Sequence, residues 1–283
     1  MAGTMKHYWM TGLATVLIIA VLASGCTQQP LDSQETTLKV TGSTTVLPVV
    51  QAAADAYMAD HPGADIQVTG GGSSVGVQSV GEGTADIGMS SRDLKAGEKT
   101  TYPDLVVTTI ASDGIGIIVH PGNTVPALSI DQVRAIYQGR VTNWKEVGGP
   151  DQVIVVTGRD SASGTREFFF ETVMDRQNFT PTQLEKNSNG AVKQTIMQTP
   201  GAIGYVGLGY IDNEVRAVPV IVNGEPVMPT VDTILSGQYP ISRPLIMMTQ
   251  GAPQGLARDY LDYILSPAGQ MIIAEEGFVP ISP

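Results

Sequence analysis

From residue 38 onward, short β-branched runs, turns rich in glycine and hydroxyls, and helical apolar periods follow one another. "LKVTG" leads into "STT", after which Val46, Val49, Val50, Ala53 and Tyr57 recur at helical spacing. "IQVTG" leads into "GGSS" and a short helical segment carrying Val77 and Val80. "ADIGMS" reads as another strand, and "VIVVTG" opens the polar stretch "GRDSASGTREFF" at 158–169. The pattern predicts helices around 130–138, after Gly164, around 256–265 and from Pro267, with strands over 153–156 and 203–205. Strands alternating with helices predict an α/β fold with largely parallel sheets.

Two continuous apolar strands, "DGIGIIVHPGN" (113–123) and "YPISRPLIMMT" (239–249), read as crossings between two lobes. The expected division is a first lobe of residues 38–119 and 242–283, and a second of 120–241. Two crossings make a hinge, and a cleft between lobes is a favoured ligand site.

The N-terminus carries an address rather than a core. Lys6 and His7 precede a short apolar run, Leu13–Leu22, too short for a comfortable membrane span and of signal-peptide type. "ASG" then leads into Cys26, the one cysteine of the chain. Residues 1–25 are expected to be a lipoprotein-type signal peptide, with Cys26 lipidated and 26–37 a polar tether; the alternative is an uncleaved anchor. Either way the folded part lies outside the cytoplasm at the membrane, with no disulfide to staple it. Composition is that of a packed protein, 42% apolar and 15% charged. The net charge of −11 argues against nucleic acid, which needs clustered lysine and arginine. A small buried anion stays open, because surface charges are screened within about 8 Å at physiological salt.

"GRDSASGTREFF" is neither a hydrolase elbow nor a P-loop. Ser161 and Ser163 are not flanked by glycines as G-x-S-x-G requires. Gly158 and Gly164 are separated by five residues and followed by Thr-Arg, not Lys-Ser/Thr. Beyond the leader, His61 and His120 each stand just before Pro-Gly, where turn chemistry explains them, so a serine nucleophile lacks a base. With its cysteine assigned and its histidines unpaired, the chain is expected to hold no metal and no cofactor. An anion cradle fits better. Helix N-termini leave N–H groups free and carry about half a positive charge. Ser163 and Thr165 add hydroxyls, Gly164 allows close approach, and Arg159 offers a planar fork. "TGSTT" (41–45) and "GGGSS" (70–74) repeat the arrangement in the other lobe.

Taken in order, "TGSTTVLP", "GGGSSVGV", "ADIGMSSRDL", "VTNWKEVGG", "GRDSASGTREFF", "PGAIGYVGLGY" and "YPISRPL" resemble the PstS-type phosphate-binding receptors of phosphate ABC importers. The resemblance runs from about Leu38 to the C-terminus. It implies a type II periplasmic-binding-protein fold, a monomer that closes on inorganic phosphate and hands it to an ABC permease, and no enzymatic activity. Carried over by position, the anion-binding residues are Thr44 and Thr45, then Ser73, then Arg159, Ser163, Gly164 and Thr165, and Ser43, Ser91 and Arg92 stand beside them as further candidates for the same site. Thr45 stands where many members have an aromatic residue. Ser91 stands where long-chain members carry the aspartate that accepts the phosphate proton, which keeps sulfate, molybdate or tungstate open as ligands; a phosphoester hydrolase is the remaining alternative. Arg92 either adds charge to the site or pairs with Asp93, and Asp160 either orients Arg159 or faces solvent. Phe168–Phe170 are expected to be helix core, and Trp144 to pack at a lobe surface.

Overall fold

The computed structural model describes residues 36–281, which lie in one compact unit. The expected signal peptide, Cys26 and nearly all of the tether fall outside the described residues.

The chain opens with β1 (Thr36–Gly42), α1 (Leu47–Asp60), β2 (Ala64–Gly70), α2 (Ser73–Gly81), β3 (Ile87–Ser90) and α3 (Ala96–Thr101). The long strand β4 (Leu105–Val119) then leads to β5 (Leu128–Ser129) and α4 (Ile130–Tyr137). Next come β6 (Val155–Arg159), α5 (Gly164–Thr172), β7 (Leu184–Lys186), α6 (Asn189–Gln198) and β8 (Ala202–Gly207). After β9 (Arg216–Val218), β10 (Val220–Val222), β11 (Glu225–Val227) and α7 (Val231–Leu235), the chain returns through β12 (Ser242–Gln250). It ends with α8 (Gly255–Leu265), α9 (Pro267–Glu275) and β13 (Val279–Pro280).

The main sheet runs β2-β1-β3-β12-β4-β8-β6-β7. Its ends are parallel, β1 with β2 and β3, and β6 with β7 and β8. Its middle is antiparallel, where β12 pairs with β3 and β4, and β4 pairs with β8 and β9. The expectation of largely parallel sheets therefore holds only within each β-α-β set. The chain crosses outward on β4 and returns on β12, and strands that cross in opposite senses pair antiparallel. β4 changes partner at Gly114–Ile115, from β12 to β8.

Two large apolar cores follow this division. One gathers Leu38, Val49, Val50, Ile87, Ile110, Leu245, Tyr260 and Phe278. The other gathers Ile115, Ile117, Tyr137, Trp144, Phe169, Tyr205 and Ile241. Residues 115–119, which a boundary at 119 assigned to the first lobe, thus pack on the second core's side. Phe169 is buried and stacks on Tyr205 at 4.1 Å, with Phe168 and Phe170 packed partly buried against the same core. Trp144 does not lie at a lobe surface. It is fully buried, and its Nε1 donates to the Gly201 carbonyl at 2.9 Å. The strand expected at 153–156 starts two residues later and continues to Arg159, so the arginine of the polar stretch is the last residue of a strand. Ser266 caps α9 by accepting from Gly269 N, with Pro267 at its first position.

Candidate functional site

Three strand-to-helix turns converge where the two cores meet. The first runs from β1 into α1. Ser43 N donates to the Met89 carbonyl, tying the turn to β3, and Ser43 Oγ accepts from Thr45 N at 3.2 Å. No side chain caps α1; Leu47 N donates to the Ser43 carbonyl at 3.1 Å and Pro48 carries no N–H, so any free donors of this turn lie ahead of the helix. The second turn runs from β2 into α2, again without a side-chain cap. Gly72 has φ +100 there, and a Cβ on it would press on the Ala162 carbonyl of the third turn. Ser74 N donates to that same carbonyl at 3.1 Å. The third turn runs from β6 into α5, where Ser163 caps the helix by accepting from Arg166 N at 3.2 Å.

Side chains knit these turns together. Thr45 Oγ1 and Thr165 Oγ1 stand 3.1 Å apart. Ser73 Oγ accepts from Ser91 N at 3.0 Å, and the two hydroxyls lie 3.4 Å apart. Gly164 sits directly against this serine pair, close enough that a Cβ would overlap the Ser73 hydroxyl. The structure thus brings together Ser43, Thr44, Thr45, Ser73, Ser163, Gly164 and Thr165 from the three turns, and Ser91 from just past the end of β3.

Arg159 lies beside them, 1% exposed. Its Nε donates to the Lys186 carbonyl and its Nη2 to the Asn187 carbonyl, each at 3.2 Å, while its backbone N–H donates to Tyr205 Oη. Burial lowers its pKa from the ordinary arginine value, and Tyr205 and Asp160 oppose that shift. No carboxylate hydrogen-bonds its guanidinium among the described residues. Asp160 is half-buried with an unpartnered Oδ1, so it acts on Arg159 through charge rather than a direct bond.

Arg92 differs from both readings of the sequence. It forks onto Glu98, with Nη1–Oε2 2.8 Å and Nη2–Oε1 2.6 Å, and takes only the backbone carbonyl of Asp93. Its charge is therefore matched in place. Nη2 also donates to Ser74 Oγ at 3.2 Å, so Arg92 reaches the cradle by anchoring the start of α2. A six-residue separation to Glu98, across the bend into α3, hides this pair from a reading of adjacent residues.

Four further participants are not singled out by the sequence motifs. Asn189, fully buried at the start of α6, places its amide 3.1 Å from Thr44 Oγ1 and 3.0 Å from Thr45 Oγ1. Turned with its oxygen toward the cradle, that amide accepts from Arg159 Nη1 and Thr45 N, each at 3.2 Å. Tyr210 Oη donates to the Thr44 carbonyl, and burial pushes its pKa up to about 12. Arg243 and Asp113 form a fully buried ion pair beneath Thr45. Burial raises the Asp113 pKa, and the Arg243 charge opposes it. A charge inside each of two strands that otherwise read as continuously apolar was the available signal, because a buried charge needs a partner.

The histidines are occupied elsewhere. His61 Nδ1 bonds the Tyr57 carbonyl and its ring stacks on Tyr57, and His120 Nδ1 accepts from Gly122 N. Among the described residues there is no cluster of metal-ligating side chains and no helix long and apolar enough to cross a membrane.

Two α/β lobes, two crossing strands and a polar cradle between them define a type II periplasmic binding protein. A family model described as a PBP superfamily domain matches residues 27–268. The chain belongs to the PstS family: it is 36% identical over 248 residues to the phosphate-binding protein PstS of Bacillus subtilis, covering 87% of this chain and 81% of that one. Among solved structures, it resembles an ABC transporter substrate-binding protein with bound phosphate from Clostridium perfringens (TM-score 0.82, 37% identity, 87% of this chain and 100% of that chain). It also resembles an ABC-type phosphate transport receptor from Vibrio cholerae (TM-score 0.69, 32% identity, 86% and 99% covered). These relatives are named as transport and binding proteins, not enzymes.

Proposed function

We propose that this protein captures inorganic phosphate between its two lobes outside the cytoplasm and delivers it to an ABC permease. In this reading Cys26 is lipidated and tethers a monomer to the membrane. The observation that carries the proposal is the convergence of three hydroxyl-bearing helix starts on Arg159, a guanidinium held by carbonyls and free of any hydrogen-bonded carboxylate among the described residues.

The physical account is one of solvation by protein. Free N–H groups in the turn before α1 and at the starts of α2 and α5, with the hydroxyls of Thr44, Ser73, Ser163 and Thr165, replace the water shell of a tetrahedral oxyanion. Arg159 supplies the counter-charge. Bonds to an ionised acceptor are shorter and about twice as strong as neutral ones, and they strengthen further where water is excluded. Closure would pivot where β4 changes partner and where β12 re-enters the first lobe, with residues up to Asp113 and from Ser242 moving as one body. The anion is held and released unchanged, with no covalent step.

A second reading within the same chemistry is a receptor for sulfate or a related oxyanion. Ser91 favours it, because a hydroxyl both donates and accepts, whereas a carboxylate would reject an unprotonated ligand. Calorimetric titration with phosphate and with sulfate tests both readings. Binding of phosphate with sulfate at least about tenfold weaker supports the first; the reverse order supports the second, and binding of neither sinks the oxyanion reading. Sustained turnover of a chromogenic phosphate ester would overturn the receptor assignment.

A further inference from the structure

Asp113 and Arg243 stand opposite one another on β4 and β12, the two strands by which the chain passes between lobes. Asp113 Oδ2 accepts from Arg243 Nε at 3.0 Å and Nη2 at 2.8 Å. The pair also reaches into each lobe. Asp113 Oδ1 accepts from Leu208 N at 2.8 Å, just after β8, and Arg243 Nη2 donates to Thr45 Oγ1 at 3.2 Å, in the first anion turn. Arg243 Nη1 has no acceptor among the described residues, so Asp113 and Thr45 alone fix the plane of the guanidinium. A buried ion pair is weak evidence of stability, because desolvation can exceed the attraction gained. Its placement between the hinge and the cradle points to a different role.

Arginine donates and never accepts, while a threonine hydroxyl has one proton to give. Thr45 Oγ1 must accept from Arg243, and its own proton is thereby left for Thr165 Oγ1 at 3.1 Å or the Asn189 amide oxygen at 3.0 Å. Both acceptors belong to the second lobe. We propose that Arg243, oriented by Asp113, is a positioning residue that turns the Thr45 hydroxyl across the cleft and so couples the hinge to closure around the anion. The proposal rests on the oxyanion-receptor reading above.

A double-mutant cycle tests it. Arg243→Gln combined with Asp113→Asn removes both charges together and leaves no buried charge unpaired. Phosphate dissociation constants are measured for this pair variant with Thr45 present and in a Thr45→Val background. The expected loss is about tenfold with Thr45 present and within about twofold in Thr45→Val, because the pair acts through that hydroxyl. Equal losses in both backgrounds, or none in either, would overturn the proposal, since a purely structural pair has no reason to depend on Thr45. Should the pair variant fail to fold, Arg243→Lys, which keeps the charge and loses the fork, goes through the same cycle. A loss that depends on Thr45 again supports the proposal, and one that does not overturns it. Wild-type protein that binds no oxyanion would instead sink the receptor reading itself. Wild-type binding that is lost on Arg159→Ala keeps that reading intact whatever the cycle returns.

Discussion

Gly164 and Ser73 meet across the cleft with no room between them for a methyl group. Gly164 opens α5 in one lobe and Ser73 opens α2 in the other. A Cβ at 164 would collide with a partner from the opposite lobe rather than with its own helix. Gly164→Ala is accordingly expected to leave the fold intact and to hinder closure. Phosphate affinity should fall by about tenfold or more by calorimetry, with the melting temperature in the absence of phosphate little changed. Wild-type affinity in this variant would show that the two helix starts do not come together around the ligand.

Arg159→Ala removes the guanidinium that carbonyls of Lys186 and Asn187 hold in the cradle. Charged hydrogen bonds contribute more than neutral ones, so phosphate affinity should drop by roughly 100-fold while circular dichroism stays native. Arg159→Lys should recover only part of the loss, because an ammonium keeps the charge without the planar fork. An unchanged titration curve for the alanine variant would remove Arg159 from the site.

Ser91→Asp would place a carboxylate beside Ser73, where a buried hydroxyl now stands. Such an acceptor tolerates a ligand that brings a proton and repels one that cannot. The phosphate-to-sulfate affinity ratio, read by competition calorimetry, should rise by about tenfold or more. An equal effect on the two anions would mean that position 91 does not face the ligand.

Acid stability should depend on Glu98. Burial pushes its carboxyl up, but the Arg92 fork, the Lys95 N–H and both cationic charges outweigh burial, so its pKa lies below the ordinary value. A depressed carboxylate contributes stability above its unfolded pKa of about 4.3 and loses it as pH falls through the lower folded value. Urea unfolding of the wild type should weaken below about pH 4.5 more steeply than that of Glu98→Gln, with the two curves converging at the acid end. Parallel curves would show that the Arg92 fork contributes no proton-linked stability.

The order of strands and helices, the three hydroxyl turns and the residues they carry were legible in the chain, because periodicity, caps and turn chemistry are local. "SASGTRE" announced a capped helix start, and Ser163 caps it. Arg159 read as a cradle residue because a fork-bearing arginine stood beside that start. The pairings that set the charge of the site were not legible. Arg92 finds Glu98 only once α3 folds back, and Asp113 meets Arg243 across 130 residues when β4 and β12 lie side by side. Asn189 reaches Thr44 and Thr45 from an element with no recognisable motif of its own. Trp144 left the surface for the core for the same reason, taking a carbonyl partner 57 residues away. Sequence alone determined which hydroxyls and glycines stand at strand-to-helix turns, since that depends on a few neighbouring residues. That Arg92 is matched by Glu98 while Arg159 bonds only carbonyls through its Nε and Nη2 was decided only by tertiary packing, because a guanidinium is neutralised by whatever carboxylate the fold brings to it.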